Sequence, residues 1–147
     1  MMIFILAIIS ITGLGFLDYF QYNNFDYQDP VKLKKYRIYQ LVLQALIVPA
    51  FLYFISSFGT VAVYFILLLT WWTDWTYYAI CEIFDGFGNP KYPGKGSFRE
   101  VFSGNVYWAS WTFYGAYLYI VKKQKLVSGK ALVIQALIGI LISLFMS

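Results

Sequence analysis

The sequence predicts an all-α integral membrane protein, a single domain over residues 1–147. It is expected to fold as a compact bundle of five transmembrane helices, or four if one segment is re-entrant. Three observations carry this. Apolar residues make up 61% of the chain and charged ones 12%, against about half and about a quarter in soluble domains. Mean hydropathy is +0.64. The charges also gather in a few connections, leaving long uncharged runs between them.

Met1 to Leu17 is uncharged and rich in Ile, Leu and Phe. No basic segment precedes it and no small-x-small site closes it, so an uncleaved span is expected. The next uncharged stretch, Ile38 to Thr73, would form a helix of about 54 Å at 1.5 Å per residue. A hydrocarbon core is only about 30 Å thick, so the stretch must fold back, with Ser56-Ser57-Phe58-Gly59-Thr60 as the turn. Pro49 should kink the first arm. The second arm runs from Val61 to Phe84 and carries Asp74 and Glu82; Val101–Val121 and Ala131–Ser147 supply two further spans. Ala7, Ser10 and Gly13 on the first span, and Gly139, Ser143 and Ser147 on the last, are expected to let helices pack closely.

Polar connections lie at Asp18–Arg37, Asp85–Glu100 and Lys122–Lys130. With five spans and the N-terminus outside, seven basic residues fall inside (Lys32, Lys34, Lys35, Arg37, Lys91, Lys95, Arg99) and four outside (Lys122, Lys123, Lys125, Lys130). The positive-inside rule then favours a multi-pass protein with its N-terminus out and its C-terminus in.

The composition excludes several chemistries. There is no histidine, and Cys81 is the one cysteine. Haem ligation by His, the usual Cys/His zinc sites and every Ser-His or Cys-His arrangement are ruled out. Acid–base chemistry must come from the seven carboxylates, the lysines or tyrosine. The net charge of +4 does not point to nucleic acid, because the basic residues sit beside apolar segments, where they meet anionic headgroups. Membrane lipids are therefore the expected neighbours. The Gly-rich connection with Lys91, Lys95 and Arg99 lacks P-loop spacing and is expected to touch anionic lipid.

Asp74, Tyr78, Cys81, Glu82 and Asp85 fall within about one quadrant of a helix turning 100° per residue. Asp74 lies well inside an apolar run, where a carboxylate costs several kcal/mol unless it is neutralised, paired or wetted. Two readings follow: a counter-ion or proton-handling group facing a cavity, or a protonated side chain bonded to a neighbouring Tyr, Trp or Thr. No lysine or arginine of this chain lies within a span to pair with it. The spacing of Asp74, Glu82 and Asp85 matches no metal motif.

Trp72 and Trp75 surround Asp74, and a second block holding Trp108 and Trp111 follows thirty-six residues later. Both read W-x-x-W-T-aromatic-Tyr. Aromatic faces attract cations by about 0.5–2 kcal/mol each. The expected site is therefore an acidic, aromatic pocket of Asp74, Trp72, Trp75, Tyr78, Glu82, Trp108 and Trp111. It would bind or transport a lipid or a cationic amphiphile. Two alternatives use the same residues. One is a membrane-embedded enzyme acting on an isoprenoid or lipid through a carboxylic acid and aromatic side chains. The other is an accessory subunit whose carboxylate pairs with a partner membrane chain.

Overall fold

A computed structural model describes residues 1–24, 29–85, 104–106 and 111–147. Helix α1 covers Met2–Asn24, seven residues beyond the expected Leu17, so Asp18 lies inside a helix and not in a connection. Helix α2, Pro30–Val42, starts where the side chain of Asp29 accepts from the backbone N–H groups of Val31 and Lys32 and Pro30 occupies the first turn. That is a capped N-terminus with proline at the position where its missing N–H is harmless. A π turn, Leu43–Ile47, leads without interruption into α3, Val48–Ile55. Pro49 explains the wider turn. It cannot donate to Ala45, and the backbone before it relaxes to an i−5 bond from Val48 N–H to the Leu43 carbonyl.

The chain reverses at Ser56-Ser57, as the length argument requires. Ser57 is extended and its hydroxyl caps α4, Phe58–Leu69, by accepting from Thr60 N–H. The Tyr64 hydroxyl then donates back to the Gln44 carbonyl at 2.8 Å. The second arm is not continuous, however. It breaks at Thr70-Trp71 and resumes as α5, Trp72–Asp85, with a bend of 63°. Thr70 donates its hydroxyl to the Ile66 carbonyl at 2.7 Å, a back-bond that bends helices. Trp71 sits at φ 82, in the left-handed region a bulky residue rarely occupies.

Beyond α5, Asn105–Val106 (β1) pairs antiparallel with Val127–Ser128 (β2), in register Asn105↔Ser128 and Val106↔Val127. Helix α6, Phe113–Val121, and helix α7, Gly129–Phe145, complete the described chain. The described residues of the expected span Val101–Val121 do not form one helix. Within it lie a two-residue strand and a nine-residue helix, about 14 Å at 1.5 Å per residue and too short to cross.

Helix α1 is the central post, packed along α4 and then α5. Ala7, Ile11 and Leu14 form one core with Leu52, Val63, Tyr64, Leu67 and Leu68. A second core joins Trp71, Tyr78, Val106, Leu118, Val127 and Leu132. Close helix approach is made by Gly15, against Thr76, and by Gly139, against Thr70; Gly13, expected on the interface, has nothing near it. Ala7, Gly139 and Ser143 are buried as expected.

Two helical segments are long and apolar enough to cross a membrane, Met2–Gln21 and Pro30–Ile55. The bent pair α4–α5 makes a third if it is one span. Five spans are not formed among the described residues. Nor do the ends lie apart, as an odd number of spans requires: the Met1 ammonium donates to the Ser147 carbonyl at 2.8 Å, so both ends share one end of the bundle.

Candidate functional site

Asp74 lies in the first turn of α5, three residues beyond the strained Trp71. The break sets it there: Thr70 ends α4, α5 restarts in a new direction, and Asp74 falls where a helix N-terminus favours negative charge. The residue is half-buried. Its Oδ2 is shielded and has no hydrogen-bond partner. The indole N–H of Trp71 and the hydroxyl of Thr73 are likewise buried without partners. Three polar groups on four consecutive residues thus lack partners at the break. Buried polar groups are satisfied in the large majority of cases, so such a cluster calls for an explanation.

A second carboxylate belongs to the same region. Asp18 stands on α1, the helix that packs along α5. Gly15, one turn earlier, brings α1 against Thr76 and Tyr77 of α5 and sets this neighbourhood. In contrast to Asp74, Asp18 is held: Oδ1 accepts from the Tyr36 hydroxyl at 2.9 Å and from Gln40 Nε2 at 2.8 Å. From the sequence alone Asp18 reads as the start of a connection, whereas it lies inside α1. The available signal was the uncharged run continuing as Tyr19-Phe20-Gln21-Tyr22 after it.

The aromatic residues divide. Trp72 stacks on Trp75 with centroids 5.6 Å apart, but its Nε1 donates to the Ala136 carbonyl at 2.9 Å and ties α5 to α7. Trp75 also meets Trp71 edge-on at 6.4 Å. Tyr78 is buried against Trp71, with centroids 6.1 Å apart. Glu82 lies half-buried two turns along α5. Trp111 is exposed beside the start of α6 and does not close a wall around Asp74. Trp108, and the Gly-rich connection with Lys91, Lys95 and Arg99, lie outside the described residues.

The two W-x-x-W-T blocks do not fold alike. Thr76 sits inside α5, where it donates to the Thr73 carbonyl at 2.8 Å. Thr112 instead caps α6 by accepting from Gly115 N–H at 3.2 Å. Among the described residues no group of three or more Cys, Asp or Glu side chains is placed to hold a metal ion. Of two surface clefts, one lined by Gln21, Lys35, Tyr36 and Tyr39 and one by Tyr119, Ile120, Lys123 and Lys125, neither has Asp74 in its lining.

Comparison with protein-family models, with curated proteins and with solved structures finds no match to this chain.

Proposed function

We propose that this chain is a small integral membrane protein that binds or carries a cationic amphiphilic molecule at the α4–α5 break. The unpartnered Oδ2 of Asp74 carries the reading. Broken helices are the form in which membrane proteins expose backbone and polar groups to a cargo at membrane depth. Asp74 is the counter-ion and Asp18 a second, fixed carboxylate. Two carboxylates in a region of low dielectric repel each other when both are ionised, and a bound cation relieves that repulsion. Trp75 and Tyr78 offer aromatic surface to the same cation, while Trp72 is a packing residue engaged with α7.

The topology that goes with this reading has four crossings: α1, α2–α3, the bent pair α4–α5, and α7 returning to the end where Met1 and Ser147 meet. The described basic residues, Lys32, Lys34, Lys35 and Arg37 in the first turns of α2 and Lys122, Lys123, Lys125 and Lys130 leading into α7, then fall toward the opposite end. The positive-inside rule places that end in the cytoplasm and both termini outside.

The test is equilibrium binding of tetraphenylphosphonium to the detergent-solubilised protein. Saturable binding is expected for the wild type. Asp74→Asn should weaken it about tenfold or more, as expected for a lost charge-assisted contact. Equal binding by wild type and Asp74→Asn contradicts the proposal.

A further inference from the structure

A second site lies where α1 leaves the membrane and α2 enters it. The cleft there, about 430 Å³, is lined by Gln21, Lys35, Tyr36 and Tyr39, within the size range of small-molecule sites. Its depth in the bilayer follows from helix lengths. Pro30–Ile55 is a candidate span of 26 residues, about 39 Å at 1.5 Å per residue, against a core of about 30 Å. About six residues must project, and counting back from Ile55 these are Pro30–Lys35. Gln21 is the last residue of the α1 span. Lys35 and Gln21 therefore sit at headgroup level, with Tyr36 and Tyr39 at the boundary where tyrosine is enriched.

The chemistry of the cleft is one-sided. Lys35 is exposed, Gln21 half-buried and Tyr39 exposed, so an ammonium, an amide and a phenol face the opening, and no acid is among the described residues that line it. The Tyr36 ring is buried and its hydroxyl already donates to Asp18, which fixes it as the floor. The nearby carboxylate of Asp29 is occupied capping α2. Below Tyr39, the exposed Val42 and Leu46 continue the same side of the helix toward the hydrocarbon.

We infer that this cleft is a binding site for one anionic phospholipid, its phosphate on Lys35, Gln21 and Tyr39 and an acyl chain along Val42 and Leu46. The charge matches an anionic headgroup, and the apolar track leading down from it matches a chain and not a soluble phosphate. Asp74 takes no part, so the site stands or falls separately from the cation site.

Native mass spectrometry of the full chain in a neutral detergent tests it by counting single-lipid adducts. Dioleoyl phosphatidylglycerol should bind more tightly than dioleoyl phosphatidylcholine. Lys35→Gln should remove about fivefold of the phosphatidylglycerol affinity, the scale of one lysine at an anionic surface. Gln21→Leu should lower it as well. Lys34→Gln, a neighbour outside the cleft, and Asp74→Asn should both leave it within about twofold. Equal losses in Lys34→Gln and Lys35→Gln overturn the site in favour of diffuse charge. Displacement of phosphatidylglycerol by glycerol phosphate or inorganic phosphate at similar concentration overturns a lipid as the occupant.

Discussion

Gly15 and Gly13 are two residues apart on α1, yet alanine should act oppositely at the two positions. At Gly13 a methyl group meets nothing within 4 Å. The helix gains what glycine gives up in a helix interior, about 0.5–1 kcal/mol. At Gly15 the new Cβ collides with Thr76 Oγ1 and comes 2.8 Å from Thr76 Cβ and 3.0 Å from the Tyr77 backbone nitrogen. Turning the Thr76 side chain relieves only the first contact, because Cβ and the backbone do not move with it. Helices α1 and α5 must part by about half an ångström, and overpacking of this kind costs about 1–3 kcal/mol. Gly15→Ala should therefore lower stability and Gly13→Ala should raise it slightly, read as shifts in unfolding midpoint in detergent. Thr76→Ala should rescue Gly15→Ala only in part. Equal midpoints for the two alanine variants, or complete rescue, would refute the packing argument and the α1–α5 seam it supports.

Other outcomes follow from single contacts. Trp72→Phe removes the bond to the Ala136 carbonyl and should cost about 0.5–1.5 kcal/mol in the same unfolding assay. Ser57→Ala removes the cap of α4 and should cost about 0.5–2 kcal/mol. Ser57→Cys, in a Cys81→Ser background, should react with an impermeant thiol reagent from the same side as tags on Met1 and Ser147. Buried Cys81 should resist small thiol reagents in the folded protein and react once it unfolds.

Much of the fold was legible because length and polarity are strong constraints in a bilayer. The Ser56–Thr60 reversal follows from one run too long to cross once, and the serine cap confirmed its position. The bend at Thr70-Trp71 was not legible. No Gly or Pro marks it, and what makes it is a tryptophan at positive φ with Gly139 packed on Thr70, both set by tertiary contacts. Val101–Val121 misled because an uncharged run gives no sign that its apolar residues serve a two-residue ladder and a short helix. At the site, Asp74 was legible from the energetic cost of a carboxylate in an apolar run. Asp18 was not, because a charge at the edge of a run reads equally as loop or helix, and Tyr36 and Gln40 come to it from another helix. The aromatic wall was over-read: Trp111 faces outward, and Trp72 is spent on the α7 carbonyl.

The proposed cation site requires that a lipophilic cation reach the half-buried carboxylate of Asp74 at membrane depth. Labelling the folded protein with a hydrophobic carbodiimide, and locating the adduct by peptide mass spectrometry, tests this directly. Asp74 should be modified faster than Asp18, whose Oδ1 already accepts two hydrogen bonds, and tetraphenylphosphonium should slow the reaction at Asp74. An Asp74 that stays unmodified while Asp18 reacts, or a rate unchanged by the cation, would contradict it.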